Sequence, residues 1–261
     1  MIGNFDGLAD DLADCAKKGE KRTRGKIKTE YEDPVVGRFL QSFEDAVLDY
    51  SETNPYDVEI ETYKLKDAGK NSPETKYGGD FVIGFNLQLP DFSMSHGIIT
   101  QAKRQNTDWF PDMATIRKQS NKMLEWSPDS FVNIMSSRSY RMYPAVQIVK
   151  SKGKKPTYKG TELEFENAFD YLTTLKFYKL FFRGHIGDNW VYQNIDFLTN
   201  RNIHTPKGRP LVPDGGESFR FGQNHGVKAL VIVVKDSGLD IEYPFDLENT
   251  VESFDTERSF F

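Results

Sequence analysis

One cysteine, four histidines and no apolar run long enough to cross a bilayer set the first limits on this chain of 261 residues. Cys15 has no partner for an internal disulfide and no histidine close to it in sequence, so a reducing compartment is expected and thiol catalysis is not. Nothing approaches the roughly 18–20 apolar residues of a membrane helix. The opening MIGNFDGLADDLADCAKKGEK sets acids and glycine where a signal peptide needs an apolar core, and a cytoplasmic protein with no membrane partner is expected. His96, His185, His204 and His225 are scattered, without the short spacing of a zinc pair. The phosphate loop G-x-x-x-x-G-K-[ST] is missing, and Gly215-Gly216 reads as a plain loop. Neither Ser136 nor Ser137 stands in a nucleophile elbow.

Positive net charge is lacking too. The balance is −5, which by itself argues against a nucleic-acid partner. The charge is segregated along the chain, however. Lys17, Lys18, Lys21, Arg22, Arg24, Lys26 and Lys28 form a basic arm broken only by Glu20, and Lys150, Lys152, Lys154, Lys155 and Lys159 form a second cluster. Acids gather near the C-terminus, from Asp236 to Glu257. Apolar residues make up 38% and aromatics 13%, enough for a core in one domain with appendages. The expected division is a mobile basic extension over residues 1–32, one domain over 33–240 with its core at about 34–150 and an elaboration over 151–240, and an acidic tail over 241–261.

From Pro34, the positions Val35, Val36, Phe39, Leu40, Phe43, Val47 and Leu48 recur at helical spacing. Val58, Ile60 and Thr62 alternate with polar residues and predict a strand. Asp80–Leu89 reads as a second strand closed by Pro90, and Gly97–Lys103 as a third, pairing with the second in an antiparallel hairpin. A helix follows over about Pro111–Trp126, halted near Ser127-Pro128. Phe131–Met135 and Ala145–Val149 are expected as buried strands, Glu162–Phe182 as a long amphipathic helix, and Val227–Val234 as a strand deep in the sheet.

The hairpin carries the chemistry. With its turn near residues 91–92, Asp80 falls opposite Ala102 or Lys103. Alternation along a strand puts Gln101 and Lys103 on one face and Ala102 on the other. A carboxylate, an amide and an ammonium then meet at one end of the sheet. Mg²⁺ takes hard oxygen ligands, and Asp80, the Gln101 amide oxygen and the Ala102 carbonyl supply them. The Lys103 ammonium suits an attacking water and the charge that builds on a phosphorane-like transition state. The chemistry these groups suit is metal-assisted phosphodiester hydrolysis.

Gly79-Asp80 at a strand start, followed by Gln101-Ala102-Lys103 on the next strand, resembles the D…(E/Q)xK signature of the PD-(D/E)xK restriction-endonuclease-like superfamily, most closely its Mrr-type branch with glutamine in the E position. The resemblance covers about Pro34 to Val149. It implies an α/β fold with a restriction-endonuclease-like core (αβββαβ, a mixed central sheet flanked by helices) and a C-terminal elaboration. It also implies an endonuclease that cuts DNA, double-stranded in expectation, with Mg²⁺ or Mn²⁺, in prokaryotic defence against phage or foreign DNA.

Two acids compete for the remaining place at the metal. Glu44 lies on the first helix, where many members of the superfamily carry a glutamate that joins the site. Glu61 lies on the polar face of the first strand. Gln119 resembles a helix glutamine that some branches place near the cleaved backbone, though Met123 stands where those branches often have tyrosine. Arg104 and Gln105 are candidates to touch phosphate. The rival reading is an inactive nuclease-fold protein that binds DNA or serves as an assembly subunit, as the net charge, the glutamine and the large C-terminal half would suit. A homo-oligomer or a regulatory subunit stays open as a further partner.

Overall fold

The computed structural model describes residues 5–52, 56–64, 77–105, 112–151, 157–159, 162–164, 170–195 and 228–236. It is an α/β structure in which a mixed seven-stranded sheet is flanked by helices on both faces. The chain enters through helix α1 (Phe5–Thr23) and a 3-10 turn (Arg24–Lys28), then runs through α2 (Glu32–Ser51). Three strands follow: β1 (Tyr56–Lys64), β2 (Phe81–Leu89) and β3 (Phe92–Arg104). Next come α3 (Met113–Leu124), β4 (Phe131–Met135), β5 (Tyr140–Pro144) and α4 (Ala145–Lys150). A two-stranded ribbon, β6 (Thr157–Lys159) and β7 (Glu162–Glu164), stands apart. β8 (Leu172–Thr173), α5 (Thr174–Phe182), α6 (Asn189–Gln193) and β9 (Lys228–Asp236) complete the described residues.

The sheet order is β1-β9-β2-β3-β4-β5-β8. β9 is therefore wedged between β1 and β2, antiparallel to the first and parallel to the second, which explains why its sequence is apolar at nearly every position. Leu230, Ile232 and Val234 join one core layer; Ala229, Val231 and Val233 join the other. On the first face, Phe81, Ile83, Phe85 and Leu87 meet residues of α1, α2 and α5, including Leu12, Phe43 and Phe182. On the second, Val82 and Ile99 share a layer with Ile116 and Met123 of α3, Ile148 of α4 and Val191 of α6. The paired glycines Gly84 and Gly97 let α6 approach the sheet closely: a Cβ at Gly97 would stand 2.9 Å from Val191 Cγ1. No helix among the described residues is long and apolar enough to cross a membrane.

Four sequence expectations are corrected. Residues 5–28 are not a mobile arm: Leu8, Leu12, Ala13, Ala16 and Ile27 are buried in the first core layer, and Glu20, fully buried, pairs with Lys17 at 2.9 Å and accepts from the Tyr140 backbone N–H. The run of lysines masked an apolar stripe at helical spacing. Ala145–Lys150 is a helix rather than a strand, because Pro144 ends β5 and redirects the chain. Where a long helix is expected over Glu162–Phe182, Glu162–Glu164 and Leu172–Thr173 are strands, residues 165–169 lie outside the described residues, and a helix runs over Thr174–Phe182, where the Thr173 hydroxyl caps its start. The helix at Pro34 begins two residues earlier, at Glu32. The acidic tail, His204, His225 and most of the second lysine cluster lie outside the described residues.

Candidate active site

Asp80 is the first residue before β2, and a glycine turn sets its position. Gly78 has φ +80°, a conformation few side chains adopt, and a Cβ there would come within 2.3 Å of the Gln119 carbonyl oxygen. The chain thus crosses closely over α3 before entering the sheet. Asp80 N–H donates to Thr100 O at 2.8 Å, and the ladder of β2 on β3 begins with Phe81 opposite Thr100. Beyond that pair the Asp80 carboxylate takes over from the backbone, accepting from Ala102 N–H at 2.8 Å. The turn of the hairpin falls one residue earlier than expected, between Leu89 and Phe92. Asp80 therefore stands across from Gln101 rather than from Ala102 or Lys103. Because the slip in register is two residues, the three side chains keep one face.

Gln101 is fully buried. Its Nε2 donates to Asp80 Oδ2 and, at 3.1 Å, to Ala102 O, while its Oε1 has no hydrogen-bond partner. Lys103, 8% exposed, sets Nζ 3.9 Å from Asp80 Oδ2 and 2.8 Å from Glu32 Oε1. The other Glu32 oxygen accepts from Arg104 N–H at 2.8 Å. The structure thus brings Asp80, Gln101, Ala102 and Lys103 together, and adds Glu32 from the start of α2. Sequence reasoning missed Glu32 by assigning it to the extension. Two acids directly before Pro34 were the available signal, since carboxylates favour the first turn of a helix.

Neither expected accessory glutamate joins this group. Glu44 follows Glu32 by three turns on the same helix, about 18 Å along its axis. It lies half-buried beside Gln41 and Asp45, where burial first and the Asp45 charge second push its carboxyl up to about 7. Glu61 sits on β1 opposite Val231, which in turn aligns with Gly84. Its backbone is two strand spacings and four residues from Asp80, roughly 16 Å away. Gln119 is buried on α3 with its carbonyl against Gly78, and so borders the Asp80 turn. The Arg104 side chain meets the chain before α2: its Nη1 donates to Glu30 O, and its guanidinium lies over the Tyr31 ring, 5.9 Å from the centroid. Gln105 is engaged by its backbone, N–H to Met135 O at 2.8 Å.

Among the described residues no three His, Cys, Asp or Glu side chains converge as a metal cluster. The donor set at Asp80 is mixed instead: one carboxylate, one amide and one backbone carbonyl, with Glu32 beyond Lys103. A half-turn of the Gln101 amide exchanges its donor and acceptor ends. That turn would place Oε1 beside the Asp80 carboxylate and the Ala102 carbonyl, giving the partnerless oxygen a use and assembling three hard oxygens at one point. Mg²⁺ commonly takes only one or two carboxylates and keeps several waters, so these residues fit it. No protein-family profile, curated protein or solved structure matches this chain.

Proposed function

We propose that the protein is a metal-dependent nuclease with a restriction-endonuclease-like core, hydrolysing DNA phosphodiester bonds. The observation that carries this reading is the buried Gln101 amide, whose Oε1 lacks a partner while the amide touches both Asp80 and the Ala102 carbonyl, with the Lys103 ammonium alongside. Asp80, Gln101 and the Ala102 carbonyl would hold Mg²⁺ or Mn²⁺. Bound there, the ion supplies Lewis-acid polarisation of a phosphoryl oxygen and a lowered pKa for water.

The chain's own residues do the rest. Asp80 is fixed by the Ala102 N–H, which donates to its Oδ2 at 2.8 Å, so its carboxylate keeps one orientation as substrate arrives. Lys103 donates to the attacking water and offsets the negative charge that grows on the phosphoryl oxygens in the transition state. Glu32 holds that ammonium at 2.8 Å, beside Asp80, and is itself anchored by Arg104 N–H. A place in defence against foreign DNA follows from the resemblance stated above. The absence of a third acid among the described residues favours the second reading, a nuclease-fold protein that binds DNA without cutting it. Incubating supercoiled plasmid with purified protein separates the two. Nicking that needs Mg²⁺, stops with EDTA and is lost in Lys103→Ala supports the enzyme, whereas plasmid that stays intact at every metal concentration rejects it.

A further inference from the structure

We infer that about two buried water molecules are bound between the sheet and α5, bridging the Thr100 hydroxyl, the Asn133 amide and the Tyr178 hydroxyl. This internal water site lies on the face of β3 opposite Gln101 and Lys103, and it stands whatever the chain acts on.

Thr100, Asn133 and Tyr178 are fully buried. Thr100 Oγ1, Asn133 Nδ2 and Oδ1, and Tyr178 Oη nevertheless have no hydrogen-bond partner in the protein. An unbonded polar group in a core is costly enough that buried side chains are nearly always bonded, to protein or to water. The unpartnered Thr174 hydroxyl, one turn before Tyr178 on α5, extends the set toward the helix start.

The strand register gathers these groups in one layer. Alternation along β3 puts Thr100 on the side of Ile98 and Ala102, and along β4 it puts Asn133 on the side of Phe131 and Met135, all part of the core under α1, α2 and α5. Thr100 stands beside Phe131, and Asn133 beside Ala102. Two aromatic contacts then place Tyr178 with respect to Asn133. On one side its neighbour Phe177 meets Phe131 edge-on at 4.9 Å between centroids. On the other its own ring meets Phe39 of α2, which meets Tyr140, the partner of Met135 across the sheet. Asn133 falls between Phe131 and Met135, and so between the two contacts. The neighbouring polar groups at Tyr140 are already paired, Glu20 with Lys17 and the Tyr140 N–H, and Thr23 Oγ1 with Tyr140 Oη at 2.8 Å.

Room is left by the small side chains of β3. Thr100 and Ala102 are flanked across the strands by Phe81, Phe131 and Asn133, and Asn133 is flanked in turn by Met142, so the layer dips over β3. An apolar hollow stays dry, whereas one lined by polar atoms takes ordered water, each molecule making about three hydrogen bonds.

Solution NMR on the parent protein reads the water directly. The Asn133 side-chain NH2, assigned through its own backbone resonances, should show NOEs to the water signal in spite of its burial. Urea denaturation gives a second readout whose sign separates a hydrated layer from a dry one. Tyr178→Phe should lower the midpoint, with the unfolding equilibrium constant raised about fivefold, because a hydroxyl bonded to water loses that bond. Asn133→Leu should lower it as well. In a dry layer both changes remove a polar group that was buried without a bond, and the midpoint rises. Should Asn133→Leu fail to fold, Tyr178→Phe and the NOEs still carry the test. No water NOE at Asn133, or a midpoint unchanged or raised in Tyr178→Phe, overturns the water site.

Discussion

A carboxylate that replaces a backbone acceptor at the end of a sheet ladder has far less freedom than one on a surface loop, and Asp80 is held in that way by Ala102 N–H. The same economy of position applies to Glu32, whose two oxygens are divided between Lys103 and Arg104 N–H. Removing its charge while keeping its shape should release Lys103. Glu32→Gln is expected to lower Mg²⁺-dependent cleavage about 10–100-fold, the usual cost of losing a partner that orients a metal-site residue. Glu44→Gln should leave cleavage unchanged, and equal losses in both variants would refute the assignment. Glu44 has its own signature. Its carboxyl is raised from 4.5 to about 7 by burial, so the neutral form is favoured by folding. Its contribution is complete below the unfolded pKa and is lost as pH rises through about 7. Glu44→Gln should accordingly raise the urea midpoint at pH 8 relative to the parent, and should do little at pH 4.

At the scale of elements, two pieces position the site. Helix α1 buries Leu8, Leu12, Ala13 and Ala16 against α2 and α5 and thereby fixes the 3-10 turn that leads to Glu32. Leu12→Ala is expected to cost about 2–5 kcal/mol by the measured range for buried leucines, read as a lower denaturation midpoint. A mobile arm would show no change. The second piece is the Gly78-Gly79-Asp80 turn. Gly78→Ala meets both a left-handed backbone and the Gln119 carbonyl, so a loss of roughly 1–3 kcal/mol is expected, together with reduced cleavage as Asp80 is displaced. The elements with one clear period were legible beforehand: α2 from its apolar stripe, the β2–β3 hairpin from alternation closed by Pro90, β9 from its apolar run. The lysines of α1 hid its stripe because its buried residues are mostly small or interspersed with charge. Ala145–Lys150 was misread because a short apolar run has the same composition in a buried strand and a buried helix turn.

Across the whole molecule, His96 shows how the two faces of the sheet are tied. From β3 its ring packs against Phe85 and Phe181 and its Nε2 bonds Phe181 O on α5, while the adjacent Gly97 bridges Asp188 at the start of α6. Burial lowers its pKa below 6.5, partly opposed by the bond to Phe181 O. The folded state therefore favours the neutral ring. Its contribution is complete above the unfolded pKa, about 6.5, and is lost as pH falls below that value toward the folded one. The His96 contribution should decline from pH 7 to pH 5 while that of Glu44 grows over the same range, so His96→Gln should make stability at pH 5 higher relative to pH 7 than in the parent, read in a urea titration at each pH.

The residue order alone determined that a strand bearing Asp80 meets a strand bearing Gln101 and Lys103, because a hairpin is local and side chains alternate at a period of two. That parity survived a two-residue slip in register. Only the tertiary structure decided which acid accompanies them, since Glu32, Glu44 and Glu61 differ in how α2 docks and in where β9 enters the sheet. Those are contacts between residues far apart in sequence, β9 reaching the sheet more than a hundred residues after β3. The placement of Arg24–Tyr31 beside Arg104 has the same origin: local pattern registers charge along the chain, whereas packing of α1 fixes where in space that charge stands.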